Sequence, residues 1–242
     1  MKVLVLVNQK GGVGKTTTAF HLAALAVERG QQVLAVDLDP QGNLSTALTG
    51  DYEIPMREAG AEALFFAAQP LQPTIVAERL HLLHGHQHLE AVERSIDIDK
   101  VLSTPPRVRS LPYDVVLIDT PPSVGLRQLA PLFWADQVLI PIEPDDFSTT
   151  GLSAIIRTLS FVRARNPKVR HRAIINRHVR SSRYQREMID RLRHHVILLE
   201  PFLGSRVSVG EAMARRIPIW NLPRAPKPAR HDWRTLCEAV YD

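Results

Sequence analysis

The segment Lys2–Val7 is a continuous apolar run of strand length, and it breaks at Asn8 into Lys10-Gly11-Gly12-Val13-Gly14-Lys15-Thr16-Thr17. Beyond the glycines, apolar residues recur at helical spacing from Thr16 to Arg29, and Gly30 supplies a C-terminal stop signal. A strand that passes through a glycine-rich loop straight into a helix is the first half of a βαβ unit, which leaves few folds open. Gln32–Val36 reads as the returning strand, buried on both faces, and ends in Asp37-Leu38-Asp39-Pro40-Gln41-Gly42-Asn43.

The same alternation runs down the chain. A less regular stretch to about Pro73 suggests short helices, Arg79–Leu83 a strand, and His88–Leu102 a helix closed by Pro105-Pro106. Asp114–Ile118 is the clearest central strand and runs into Asp119-Thr120-Pro121-Pro122. A helix around Gly125–Trp134, a strand at Gln137–Ile140, a long helix near Thr149–Arg165 and a strand at Ala173–Ile175 follow. Then come helices at Tyr184–His195 and near Val209–Arg215, and one at the C-terminus, with the proline-rich stretch Pro218–Pro228 read as a surface loop. Strands separated by helices imply an α/β fold with a mostly parallel twisted sheet and helices on both faces. Residues 1–242 are expected to form one domain. In such sheets ligands sit beyond the carboxyl ends of the strands. Lys10, Asp39, Asp119 and Asn176 each follow an expected strand, so they should converge on one edge.

The loop chemistry is that of an anion cradle. Backbone N–H groups and a helix N-terminus can surround a phosphate, and Gly11, Gly12 and Gly14 let the backbone approach without a Cβ in the way. Lys15 can reach β- and γ-phosphates, and the Thr16 hydroxyl can reach Mg²⁺. The usual spacing G-x-x-x-x-G-K-[ST] is broken, because Gln9 stands where its first glycine would be. Asp37 reads equally as a support for the loop or as a catalytic carboxylate. Asn176 reads as an adenine-recognising amide or a turn residue.

The Lys10–Thr16 segment is similar to the deviant Walker A motif of the ParA/MinD family of P-loop ATPases, whose signature is the extra lysine. Asp37–Asn43 resembles that family's switch I segment, and Asp119-Thr120-Pro121-Pro122 its Walker B and switch II. Pro141–Gly151, Asn176-Arg177 and Gly210-Glu211-Ala212 stand in the family's order. The resemblance implies a single P-loop NTPase domain with ATP and Mg²⁺ as cofactors. The nucleotide would lie on Lys10, Gly11, Gly12, Val13, Gly14, Lys15, Thr16, Thr17 and Asn176. Lys10, Lys15 and Asp39 would be catalytic. Lys10 would cross an ATP-dependent homodimer interface to the partner subunit's nucleotide, and Asp39 would orient the attacking water. Thr16, Asp39 and Asp119 would hold the metal. The family also implies a ParB-like or cargo adaptor protein that stimulates hydrolysis, and a cargo that is a plasmid, a chromosome or a protein assembly.

Charge adds to this reading. Residues 1–156 hold 11 Lys+Arg against 18 Asp+Glu, while residues 157–242 hold 19 against 7, and seventeen of those 19 are arginine. So basic a second half suits non-specific contact with DNA phosphates. Arg183, Arg186, Arg206, Arg215 and Arg216 are the candidate contacts, and a nucleoid-associated cytoplasmic protein is expected. Thr235–Asp242 carries Glu238 and Asp242 and no Lys or Arg, which disfavours a membrane-binding C-terminal helix of the MinD kind. The single Cys237 disfavours a shared iron–sulfur cluster and is expected in the core. His81, His84, His86 and His88 lack accompanying cysteines and are not expected to form a metal site. No stretch has the ~20 apolar residues of a membrane span. With no segment ahead of the first strand, a helix-turn-helix repressor domain is not expected.

Overall fold

The computed structural model describes residues 1–51, 60–66, 70–95, 99, 107–145 and 148–242. Among them, eight strands form one sheet: β1 (Lys2–Leu6), β2 (Val33–Asp37), β3 (Thr74–Ala77), β4 (Leu80–Leu83), β5 (Val115–Asp119), β6 (Gln137–Ile142), β7 (Arg170–Ile175) and β8 (Leu198–Leu199). Their spatial order is β3-β4-β2-β5-β1-β6-β7-β8, and all pairings are parallel except β3 with β4. The helices between them are α1 (Lys15–Glu28), α2 (Asn43–Thr49), α3 (Glu90–Ser95), α4 (Leu126–Trp134), α5 (Ser148–Arg163), α6 (Arg183–Arg193), α7 (Val207–Ala214) and α8 (Lys227–Tyr241).

Strand β1 shows why the central strands read as unbroken apolar runs. Val3 and Val5 face a core shared with α4, α5 and α6, while Leu4 and Leu6 face one shared with α1, α2 and α8. Both faces are dry from Val3 to Leu6, so none of those four positions is polar. Helix α1 lies on the second face with Ala19, Ala23 and Ala26 buried beside Leu22 and Leu25. Each such leucine contributes roughly 1.5–3 kcal/mol on leaving water.

Register brings the carboxyl ends together: Leu6 and Asp37 both align with Asp119, and Ile142 with Ile175. The glycine loop, both acidic strand ends and Asn176 therefore share one edge of the sheet, as expected.

Two local readings change, and one strand, β3, goes beyond them. β3 is an antiparallel edge strand with one half-covered face, burying too little to give an apolar run. Pro218–Pro228 is no surface loop: a 3₁₀ turn at Ile219–Asn221 carries Ile219, Trp220, Leu222 and Ala225 into the core against α1 and α8. The helix expected at His88–Leu102 is described as a 3₁₀ turn at Gln87–Leu89 and α3. Its remainder, apart from Asp99, lies outside the described residues.

Candidate active site

The loop between β1 and α1 turns on glycines with positive φ, Gly12 at 75° and Gly14 at 101°, values that side-chain-bearing residues rarely adopt. A Cβ on Gly14 would also collide with the Asn176 amide. That amide donates to the Val13 carbonyl at 2.9 Å, and its oxygen accepts from the Arg177 N–H at 2.9 Å. Asn176 thus braces the loop from β7, and it also lines a cavity of about 260 Å³ with Gly12, Gly14, Thr17 and Arg206. Both readings of this residue, turn and ligand contact, keep support.

Lys15 and the carboxylates form the interior of the site. Lys15 is buried, and that burial lowers its pKa although Asp119 and Asp39 pull it up. Thr16 Oγ1 donates to Asp119 Oδ2 at 2.6 Å. Burial, then the nearby Asp37 carboxylate, pushes Asp119 up to about 8, and burial pushes Asp37 up to about 6. Asp37 is held by the Ser45 N–H and hydroxyl at 2.9 and 2.8 Å and by the Asp39 N–H at 3.1 Å. With both oxygens occupied, it supports the loop that carries Asp39. Asp39, half-buried, accepts from the Gln41 N–H at 3.0 Å. Asp119 Oδ1 differs, for it is buried with no hydrogen-bond partner among the described residues. An orphan carboxylate oxygen beside a threonine hydroxyl and a second acidic group is the hard-oxygen donor set that suits Mg²⁺.

Lys10 has a different address. Its side chain is 42% exposed at the rim and ion-pairs with Asp145, with Glu143 at 3.8 Å. Glu143 also accepts from Arg177 Nη1 at 3.3 Å. Asn8 shapes this rim by donating to the Pro141 carbonyl at 2.7 Å and accepting the Lys10 N–H at 2.9 Å. One lysine of the loop is buried among carboxylates, and the other faces outward on a leash of two acids.

Comparison with known proteins agrees. The family model described as an AAA domain matches residues 1–171. The IncC protein of Escherichia coli is 34% identical over 254 residues, covering all of this chain and 69% of that protein. The chromosome-partitioning ATPase Soj of Thermus thermophilus is 31% identical over 252 residues, covering 98% and 94%. The chain is a ParA-type P-loop ATPase. Cobyrinic acid a,c-diamide synthase of Mycobacterium smegmatis, solved with an ATP analogue and magnesium, superposes with a TM-score of 0.74 at 26% identity, covering 92% of this chain and 94% of that one.

The remaining ParA-type features fall into place unevenly. All five candidate DNA-binding arginines are exposed. Arg183 pairs with Glu187 and Arg215 with Glu211, both one helical turn away. Arg216 donates to the Thr49 carbonyl at 2.8 Å and clips α7 to the end of α2. Arg206 lines the cavity beside the loop. The apolar face of α8, with Trp233, Leu236, Cys237 and Val240, is spent on the core, where burial pushes the Cys237 thiol up. No described helix is long and apolar enough to cross a membrane.

The histidines scatter among separate partners. His81 bonds the Tyr113 hydroxyl at 2.7 Å and His84 the Thr74 hydroxyl at 2.9 Å. Glu62, His86 and His88 do gather their ligand atoms within 4.8 Å. However, His86 Nδ1 accepts the His88 N–H, so its other nitrogen carries the proton and faces Glu62 at 3.0 Å. Glu62 and His86 are thus each other's partners, and the His88 backbone closes the turn beside them.

Sequence reasoning missed Glu143, Asp145 and Ser45, whose roles come from strand order. It also missed His21. Buried completely on α1, His21 donates through Nδ1 to the Thr17 carbonyl at 2.7 Å and accepts the Ile219 N–H at 3.2 Å, which fixes a neutral tautomer. Burial lowers its pKa to about 4. It ties the phosphate-side helix to the turn before α8.

Proposed function

We propose that this protein is an ATP-gated positioning ATPase that dimerises on ATP, binds DNA without sequence preference and moves a replicon with the help of a partner protein that stimulates hydrolysis. The carrying observation is the division of labour between the two lysines. Lys15 lies inside the carboxylate cluster and serves the chain's own nucleotide. Lys10, outward at the rim, is placed to serve a nucleotide held by a second copy once Asp145 and Glu143 release it.

In this reading Thr16 and Asp119 hold Mg²⁺ beside Asp39, and Asp39 orients the attacking water. Bound Mg²⁺ would neutralise charge on the phosphoryl oxygens. The chain's own residues supply position: Asn176 fixes the loop, and Ser45 fixes Asp37 and through it the Asp39 turn. The names of two relatives, a chromosome-partitioning ATPase and a chromosome partitioning protein, favour DNA as the cargo. The apolar face of α8 is buried in the core, which speaks against a membrane cycle through that helix.

Duplex DNA binding with ATP, with ADP and without nucleotide tests the proposal, for wild type and Lys15→Gln. Wild type should bind only with ATP, and binding should fall steeply with salt; Lys15→Gln should lose it at least tenfold. Binding that needs no nucleotide, or that is insensitive to salt, overturns the proposal.

A further inference from the structure

A concentration of basic residues lies at the amino edge of the sheet, where β1, β6 and β7 begin, opposite the phosphate loop. There a cavity of about 610 Å³ is lined by Lys2, Arg163, Lys168, Arg170 and Arg172, with His171, Gln137, Asp136 and Asp242. Five cations face two carboxylates, and one of those carboxylates is spoken for. Asp136 takes both Arg109 Nη atoms at 2.9 and 2.8 Å and the Val3 N–H at 2.7 Å.

Part of the positive charge has a structural purpose. Lys2 Nζ donates to the Val240 and Tyr241 carbonyls at 3.0 Å each. Arg172 donates to those of Ala239 and Val240 at 2.9 and 3.0 Å. They cap the C-terminal end of α8, where cations are favoured. Arg163 bonds His171 at 2.8 Å. Lys168 and Arg170, both exposed, have no hydrogen bond or ion pair of their side chains among the described residues, so the cavity keeps charge that the fold does not use. The repulsion acts on the neighbours. Burial, then the Arg172 charge, lowers Lys2; burial, then Arg170, lowers Arg172.

A second observation points inward. Gln137, the first residue of β6, is 3% exposed, and its amide nitrogen has no hydrogen-bond partner among the described residues. A buried donor left unmade costs about 1–3 kcal/mol, so its retention at the wall of a cationic cavity calls for an acceptor. The volume falls in the range of small-ligand sites.

We propose that this amino-edge cavity binds a small phosphorylated anion of nucleotide size, away from the phosphate loop at the other end of the strands. Its phosphates would meet Lys168, Arg170 and Arg163, and one of its oxygens would accept from Gln137. Its distance from the loop makes it an independent site, so its fate does not depend on the ATPase reading.

Titration calorimetry with inorganic tripolyphosphate on Lys15→Gln, whose phosphate loop is disabled, tests the proposal. Saturable binding is expected, weakened at least tenfold when Lys168→Gln and Arg170→Gln are added and also by Gln137→Leu. Both exposed positions tolerate glutamine, and the pair placed in the wild-type chain should keep ATP turnover, which confirms folding. Absence of saturable binding to Lys15→Gln, or binding within twofold after the added pair, overturns the proposal. A tenfold loss of ATP-dependent duplex binding from the pair alone would also overturn it, since the cavity would then belong to the DNA-facing surface.

Discussion

The two edges of the sheet are electrostatic opposites. At the carboxyl edge, Asp37, Asp39 and Asp119 crowd around Lys15, and burial holds two of the three well above the usual carboxylate range. At the amino edge, Lys2, Arg170 and Arg172 crowd together, and burial with mutual repulsion lowers Lys2 and Arg172. Part of this polarity follows from topology. In a parallel sheet the helices run back against the strands, so helix N-termini and their positive ends gather at the carboxyl edge and helix C-termini at the other. Anionic side chains are welcome at the first and cations at the second. The excess beyond that is informative: Asp119 Oδ1 at the first edge and Gln137 Nε2 at the second are both buried without partners among the described residues. Each marks a place where the fold retains cost that a ligand of opposite character can offset.

The largest test of this contrast is Asp119→Asn. Turnover of ATP should fall at least about 100-fold, because the charge that would meet the metal is gone. The nucleotide-free protein should become more stable, on the order of 1–3 kcal/mol at pH 8, as buried like-charge crowding is relieved. The sign is fixed by direction. A carboxylate whose folded pKa is raised contributes stability that is full below its unfolded pKa and is lost as pH rises through the folded value. For Asp119 that loss runs from about 4 up to about 8. Thermal melts from pH 5 to 8 should therefore show wild type losing ground that Asp119→Asn keeps. Equal pH slopes in the two proteins would mean that the carboxyl edge is not strained by charge.

A smaller effect is expected at the other edge. Arg170→Gln removes a charge that depresses Lys2 and Arg172, but Arg170 is exposed and screened. Its melting transition should shift upward by no more than about 0.5 kcal/mol at low salt, and the shift should vanish in high salt. A downward shift would show that Arg170 has a structural partner in solution and would weaken the symmetry between the edges.

Much of the carboxyl edge is legible in the sequence. β1 and β5 read as strands because both of their faces are dry, and Gly30 and the glycine loop punctuate α1 on either side. From there the convergence of Lys10, Asp39, Asp119 and Asn176 follows from parallel topology alone. What stays hidden depends on which strands are neighbours. Asp145 reaches Lys10, 135 residues away in sequence, only because β6 lies beside β1. The amino edge is hidden for a related reason. Arg170-His171-Arg172 is polar, so the first half of β7 reads as a loop, and only the sheet reveals two cations at a strand start. The prolines around Trp220 mislead in the other direction, since they set backbone shape without saying which side chains it buries.

The central claim is that Lys10 acts across a dimer while Lys15 acts within the chain. Sedimentation of wild type and Lys10→Ala with ATP and Mg²⁺ tests it most directly, with ATP affinity measured alongside. Wild type should shift from monomer to dimer on ATP. Lys10→Ala should keep its ATP affinity within about threefold and remain a monomer, because only the partner's nucleotide loses a contact. An ATP-dependent dimer of Lys10→Ala as stable as that of wild type, or a wild type that stays monomeric with ATP, would contradict the account.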